Sequence, residues 1–149
     1  MNKAHLTAIS RKKPSAPMKW LFDNYGPMLK GVMLDYGCGR GFDADYYGLK
    51  KFDPHYFPCV GDFAFTKFDW VFCNYVLNVI ADEEERYKVI DRIRNLLKKS
   101  GAAYFTVRKN VKKEGFTSIG TFQANVELYL PIVKETSDYC IYKLEKVNL

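Results

Sequence analysis

The chain has 149 residues, 48% of them hydrophobic and 16% aromatic, a composition that buries a core and excludes a disordered chain. Its formal net charge of +6 suits an acidic partner such as nucleic acid, but it serves plain solubility equally well. No apolar run approaches the roughly 18 residues of a membrane span and no apolar leader is visible, so spanning and secretion are disfavoured.

Residues 1–13 are polar, end in the triplet Arg11-Lys12-Lys13 and read as an N-terminal arm. Ser15 to Pro17 starts a helix, since proline fits a first turn where its missing N–H is not needed. Met18, Leu21, Phe22 and Tyr25 recur at helical spacing, and Gly26-Pro27 ends the run. A first strand is expected over about 31–36, followed by the loop Gly37-Cys38-Gly39-Arg40-Gly41. Asp43 to Leu49 makes at most a two-turn helix, and Lys51-Phe52-Asp53 reads as a second strand ending in an acid. Pro54 and Pro58 interrupt the next stretch and leave room for a short third strand near 58–61. Phe68 to Tyr75 is the next strong strand.

Asp82 to Lys99 is the clearest helix of the chain. Asp82 caps it, Glu83 to Glu85 meet the positive end of its dipole, and Lys98 and Lys99 meet the negative end. Val89, Ile90, Ile93, Leu96 and Leu97 supply its apolar face, and Ser100-Gly101 ends it. Ala102 to Val107 is a buried strand, a polar loop covers about 108–121, and β-type runs at about 122–132 and 138–147 close the chain. The alternation predicts one α/β domain over 1–149, with a mostly parallel sheet and a C-terminal antiparallel hairpin. The four cysteines (Cys38, Cys59, Cys73, Cys140) are widely spaced with no C-x-x-C pair, so no metal site is expected and a reduced, cytoplasmic setting fits.

The stretch from Val32 to Gly41 carries the chemistry. A buried strand ends in Asp35, and three alternating glycines then let a ligand lie against bare backbone N–H groups. The dinucleotide spacing is G-x-G-x-x-G, whereas here it is G-x-G-x-G with an acid two residues upstream. An anion is repelled by Asp35; a ligand carrying an ammonium and a sulfonium is not. Asp35-Tyr36-Gly37-Cys38-Gly39-Arg40-Gly41 after an apolar strand resembles the S-adenosylmethionine loop of the class I methyltransferases. The resemblance implies an abbreviated Rossmann-like methyltransferase sheet, with S-adenosylmethionine as cofactor.

Ligands of open α/β sheets sit beyond the carboxyl ends of the strands. The resemblance assigns the cofactor to Asp35, Tyr36, Gly37, Cys38, Gly39 and Gly41 at the first end. Asp53 is similar to the family acid that meets the ribose hydroxyls; its plainer reading is a turn residue before Pro54. Asp62 takes by order the place of the acid that meets the adenine amino group, with an exposed loop acid as the alternative. Asn74-Tyr75-Val76-Leu77-Asn78 corresponds to the segment beside the methionine part. That makes Asn74 a cofactor contact, and Asn74, Tyr75 and Asn78 candidates near the acceptor. Methyl transfer from a positive sulfur needs mainly alignment, so no dedicated catalytic residue is required unless the acceptor is protonated.

Asn74 is followed by Tyr75-Val76 without proline, which argues against amino-group DNA methylation, and no Pro-Cys stands where cytosine C5 chemistry needs it. Thr7 to Arg11 with Ser15 and Pro17, the glycine loop, Tyr75 to Ile80, and Gly120 to Gln123 together resemble a group of small bacterial methyltransferase-like proteins. Some relatives of that group are associated with DNA phosphorothioation systems. Two basic blocks are then the acceptor candidates: the arm with Arg11, Lys12, Lys13 and Ser15, and the loop with Arg108, Lys109, Lys112, Lys113, Thr121 and Gln123. A phosphate-bearing acceptor suits them, nucleic acid slightly favoured, against the plainer reading of a solvated basic surface. Two other readings stay open: a cofactor-binding module or subunit without turnover, and a nucleotide-binding enzyme that merely shares the loop. A homodimer or a protein partner is compatible with all three.

Overall fold

The structure is a computed structural model that describes residues 3–58 and 66–148. Its centre is a sheet of β1 (Met33–Tyr36), β2 (Lys50–Phe52), β3 (Phe68–Asn74), β4 (Leu97–Arg108), β7 (Ile132–Glu135) and β8 (Tyr139–Glu145), in the order β2-β1-β3-β4-β8-β7. The first four run parallel; β8 lies antiparallel beside β4, and β7 antiparallel beside β8. The mostly parallel sheet with a terminal hairpin is the one the sequence predicts. A separate ribbon pairs β5 (Gly115–Phe116) with β6 (Phe122–Gln123).

Among the described residues three α-helices flank the sheet: α1 (Ala16–Tyr25), α2 (Phe42–Tyr47) and α3 (Glu83–Leu96). The period-2 alternation of β3 and β4 divides the core between the two faces. Phe72, Tyr104 and Ile141 pack with Met18, Leu21, Ala44 and Leu49 from the α1–α2 side. Val71, Cys73, Phe105 and Val107 pack with Val89, Ile90 and Ile93 of α3. Both strand positions and helix stripes are fully buried at their centres, Phe68, Phe72, Phe105, Leu21 and Ile93 among them. Asp82 caps α3 as expected, its carboxylate accepting from the Glu84 N–H at 2.9 Å.

Three expectations need correction. The helix at 82–99 stops at Leu96, because Leu97 enters β4 opposite Phe68. The six residues from Leu97 to Ala102 then face the three from Phe68 to Trp70, so Lys98, Lys99 and Ser100 loop outward. Lys98 ties this bulge to the Asp69 carboxylate at 3.0 Å, and Gly101 lies so close to β3 that a Cβ there would stand 2.8 Å from the Phe68 carbonyl oxygen. Secondly, the run at 122–132 is not one strand: β6 is two residues, and the terminal hairpin uses Ile132–Glu135 instead. Ala124 and Val126 carry the apolar pattern into the core from an irregular segment. Thirdly, the loop over 108–121 contains β5. The short strand expected near 58–61, together with Cys59 and Asp62, falls largely outside the described residues. Among the described residues no helix is long and apolar enough to cross a membrane.

Candidate functional site

A cleft of about 1230 Å³ opens at the carboxyl ends of β1, β2, β3 and β4. Asp35, the last residue but one of β1, lies at the base of the cleft, 3% exposed. Burial raises its pKa to about 8, helped by the charges of Asp43 and Asp53 and opposed by Arg11. Asp43 is itself spoken for, accepting the Ser15 N–H at 2.8 Å and the Ser15 hydroxyl at 2.6 Å. Ser15 therefore fixes the arm to α2, its hydroxyl proton committed to Asp43. It begins α1 without using its hydroxyl as a cap.

The glycine loop is built differently from the expectation of bare amides. Gly37 and Cys38 donate their N–H groups to the Phe52 carbonyl at 2.7 and 3.0 Å. Gly39 donates to the Asp53 carboxylate at 2.9 Å, and Gly41 to the Cys38 carbonyl at 3.0 Å. Four of the five amides from Gly37 to Gly41 are thus engaged within the protein, three of them because Phe52 and Asp53 at the end of β2 come close enough to take them. All three glycines have positive φ, of 77°, 57° and 87°. A Cβ on Gly37 would meet Val76 at 2.3 Å and one on Gly41 would meet Lys51 at 2.8 Å, whereas Gly39 faces only Ala8, at 3.3 Å. The arm therefore lies across the middle of the loop, and the stacked rings of His5 and His55, 3.8 Å apart, hold it there.

Asp53 closes the second strand end as a turn acid as well: its other carboxylate oxygen accepts the His55 and Tyr56 N–H groups at 2.9 and 3.1 Å. Tyr36 and Cys38 line the cleft. The Tyr36 hydroxyl accepts from Arg92 of α3 at 2.9 Å, and burial pushes the Cys38 thiol up to about 12.

The ends of β3 and β4 hold the least satisfied groups. Asn74 stands beside Thr106 in register, and among the described residues neither its side-chain oxygen nor its nitrogen has a hydrogen-bond partner. The Thr106 hydroxyl and the Asn78 side-chain oxygen are likewise buried and unpartnered. A buried polar group without a partner costs about 1–3 kcal/mol, so this cluster is stored demand for a ligand's polar atoms. Tyr75 follows at φ 60°, a left-handed conformation rare for a bulky residue, held by its N–H donating to the Thr106 carbonyl at 2.8 Å. Burial, with Tyr139 nearby, pushes its hydroxyl up to about 12.

The candidate acceptor residues separate. Arg11, Ser15, Arg108 and Gln123 line the cleft, with Gln123 accepting from the Asn78 amide at 3.0 Å. Lys12 is exposed away from the cleft lining, and Lys109 pairs with Glu135 at 2.8 Å. Thr121 is buried in its own ribbon, its hydroxyl 2.6 Å from that of Thr117. Asn110, Asp138, His5 and Thr106 were not among the sequence candidates. Only the alternation of β4, which places Thr106 beside Asn74, carried a signal for any of them.

No protein-family model matches this sequence, and no curated protein matches it. The fold is similar to that of the Burkholderia thailandensis 1,6-didemethyltoxoflavin-N1-methyltransferase, solved with bound 1,6-didemethyltoxoflavin and S-adenosylhomocysteine. The TM-score is 0.59 at 16% identity, over 86% of this chain and 76% of that one. It is also similar to DhpI in its SAH complex, with a TM-score of 0.51 at 15% identity, over 86% of this chain and 82% of that one. The chain thus has the Rossmann-like fold of a methyltransferase.

Proposed function

We propose that the chain is an S-adenosylmethionine-dependent methyltransferase acting on a phosphate-bearing acceptor, with nucleic acid the class to test first. The observation that carries the reading is the glycine loop with four of its five amides already engaged and a buried acid beneath it. A pyrophosphate requires the reverse: free N–H groups and no carboxylate. Asp35 instead offers negative charge to a ligand cation, which would draw its pKa back down. The SAH bound by both fold neighbours supports the same choice of ligand.

When bound, S-adenosylmethionine supplies a methyl group already activated by positive sulfur. The residues that fit it are Asp35 for the cationic part, the Gly37–Gly41 loop as a close-approach surface, Asp53 with its remaining acceptor capacity for hydroxyls, and Asn74 with an amide and a carbonyl both unpaired. The work of the protein is then to exclude water and align the acceptor beside Tyr75 and Asn78, which line the cleft.

Calorimetric titration with S-adenosylmethionine and S-adenosylhomocysteine, against NAD and ATP, tests the cofactor. Micromolar binding of the first two alone is expected, followed by labelled methyl transfer to RNA or DNA. Binding of NAD or ATP instead overturns the reading. Cofactor binding with no transfer to any phosphate-bearing acceptor leaves the alternative of a cofactor-binding subunit.

A further inference from the structure

Four arginines line the cleft: Arg92 is held by the Tyr36 hydroxyl and Arg40 lies over the Tyr56 ring, which leaves Arg11 and Arg108. Among the described residues neither Arg11 nor Arg108 has a carboxylate within ion-pair distance. They come from opposite parts of the chain, one from the arm and one from the end of β4, and both act electrostatically on the Tyr75 phenol. Each is positioned by groups with no other evident task. The Arg108 Nε donates to Asn110 Oδ1 at 3.0 Å, the Asn110 amide donates to Asp138 at 3.3 Å, and the Asp138 carbonyl accepts the Lys109 N–H at 2.9 Å. That chain uses the Nε and leaves both terminal nitrogens of the guanidinium free. The arm that carries Arg11 is pinned on either side of it, by the His5–His55 stack and by the Ser15–Asp43 hydrogen bonds. The carboxylates around them are otherwise occupied: Asp43 by Ser15, Asp53 by three backbone amides, Asp138 by Asn110, while Asp35 is buried at the base.

Guanidinium groups that line one cleft and act on one phenol repel each other unless an anion joins them, and a planar fork with terminal nitrogens to spare matches the two oxygens of a carboxylate or phosphate. We infer that Arg11 and Arg108 form an oxyanion clamp, which seats one carboxylate or phosphate group of the acceptor beside Tyr75. The inference rests on the cleft being the acceptor site, and it assigns recognition to two residues within the cleft in place of the exposed lysines. A group held there enters the cleft singly, as a small molecule or an extruded nucleotide does.

The test tracks the side-chain N–H resonances of both arginines by NMR while the full chain is titrated with inorganic phosphate and, separately, with acetate at constant ionic strength. Saturable shifts of both resonances are expected, with affinity lowered about tenfold in Arg11→Ala and in Arg108→Ala. Arg108→Lys, which keeps the charge but loses the fork, is expected to fall by several-fold, and Lys99→Ala, at the opposite end of β4, to match the wild type. Preference for phosphate or for acetate identifies the group on the acceptor. Absence of saturation, or unchanged affinity in both alanine variants, overturns the clamp. Titration of Arg108→Ala with S-adenosylhomocysteine separates the two readings. Loss of that binding would make Arg108 a cofactor residue and overturn the clamp. Phosphate saturation in a wild type that binds no S-adenosylhomocysteine would keep the clamp and remove the methyltransferase.

Discussion

Asp53 and Gly39 are joined across two strand ends by a hydrogen bond of 2.9 Å from the glycine amide to the carboxylate. With the His55 and Tyr56 amides also on this side chain, one residue fixes both the turn after β2 and the middle of the glycine loop. Asp53→Ala should lower stability by about 1–2 kcal/mol, through backbone donors left without their acceptor. It should weaken S-adenosylmethionine binding by about 1.5–3 kcal/mol, as expected for lost charge-assisted contacts. Thermal melts and calorimetry measure the two effects separately, and an affinity equal to wild type would leave Asp53 with only the turn.

The buried Asp35 predicts how the ligand-free protein responds to pH. Its folded pKa is raised to about 8 from an ordinary 3.8, so between these values the unfolded chain binds fewer protons than the folded one. Stability should therefore fall as pH rises from about 5 to 8, by at most about 1.4 kcal/mol per pH unit from this single proton. Asp35→Asn should flatten that slope and abolish binding of the cationic cofactor. Denaturant unfolding at pH 5.5, 7 and 8.5 measures it; a wild type and variant with the same slope would show that Asp35 charges freely.

The unpartnered cluster at the ends of β3 and β4 makes stability and function diverge. Thr106→Val removes a buried hydroxyl that has no partner and keeps the volume, so the ligand-free melting temperature should hold or rise. Asn74→Leu should behave alike, while abolishing cofactor affinity that depends on its amide and carbonyl. Loss of stability in Thr106→Val would mean that the hydroxyl has a partner in solution.

The glycines of the loop separate by what lies above them. Gly37→Ala sets a methyl 2.3 Å from Val76 at φ 77° and should cost about 1–3 kcal/mol of stability, recovered in part by Val76→Ala. Gly39→Val meets only Ala8, at 3.3 Å, but puts a β-branched residue at φ 57°, so it should cost stability and, in the folded protein, lose S-adenosylmethionine binding because the branched side chain fills the ligand's space. Retained affinity in a folded Gly39→Val protein would remove this loop from the cofactor site.

The parts of the fold that were legible are those specified by neighbours in the chain. Val32 to Gly41 declares a strand, an acid and a turn through residue type alone, and Asp82 with Glu83 to Glu85 declares a helix start. The helix end was not legible: Leu96-Leu97-Lys98-Lys99 continues the helical pattern perfectly well, and only the pairing of Leu97 with Phe68 and of Lys98 with Asp69 redirects it. The same holds for the site. Asp35 announces itself locally, but the consumption of the loop amides depends on where β2 ends. The arm's passage over Gly39 depends on a ring stack between residues fifty positions apart. Lys109 and Thr121 looked like ligands by composition and proved to be occupied, one by Glu135 and one by Thr117.

The arm from Ala4 to Arg11 belongs to no strand of the sheet. Its side-chain anchors include the stack of the His5 and His55 imidazoles and the long Tyr56 hydroxyl contact to the His5 carbonyl, at 3.5 Å, and none of its described residues is buried. Its amides should therefore exchange with solvent deuterium far sooner than those of β3 or β4, through an opening that leaves the sheet ladder whole. Such an opening would uncover the middle of the glycine loop at Gly39 without unpairing a single strand of the sheet.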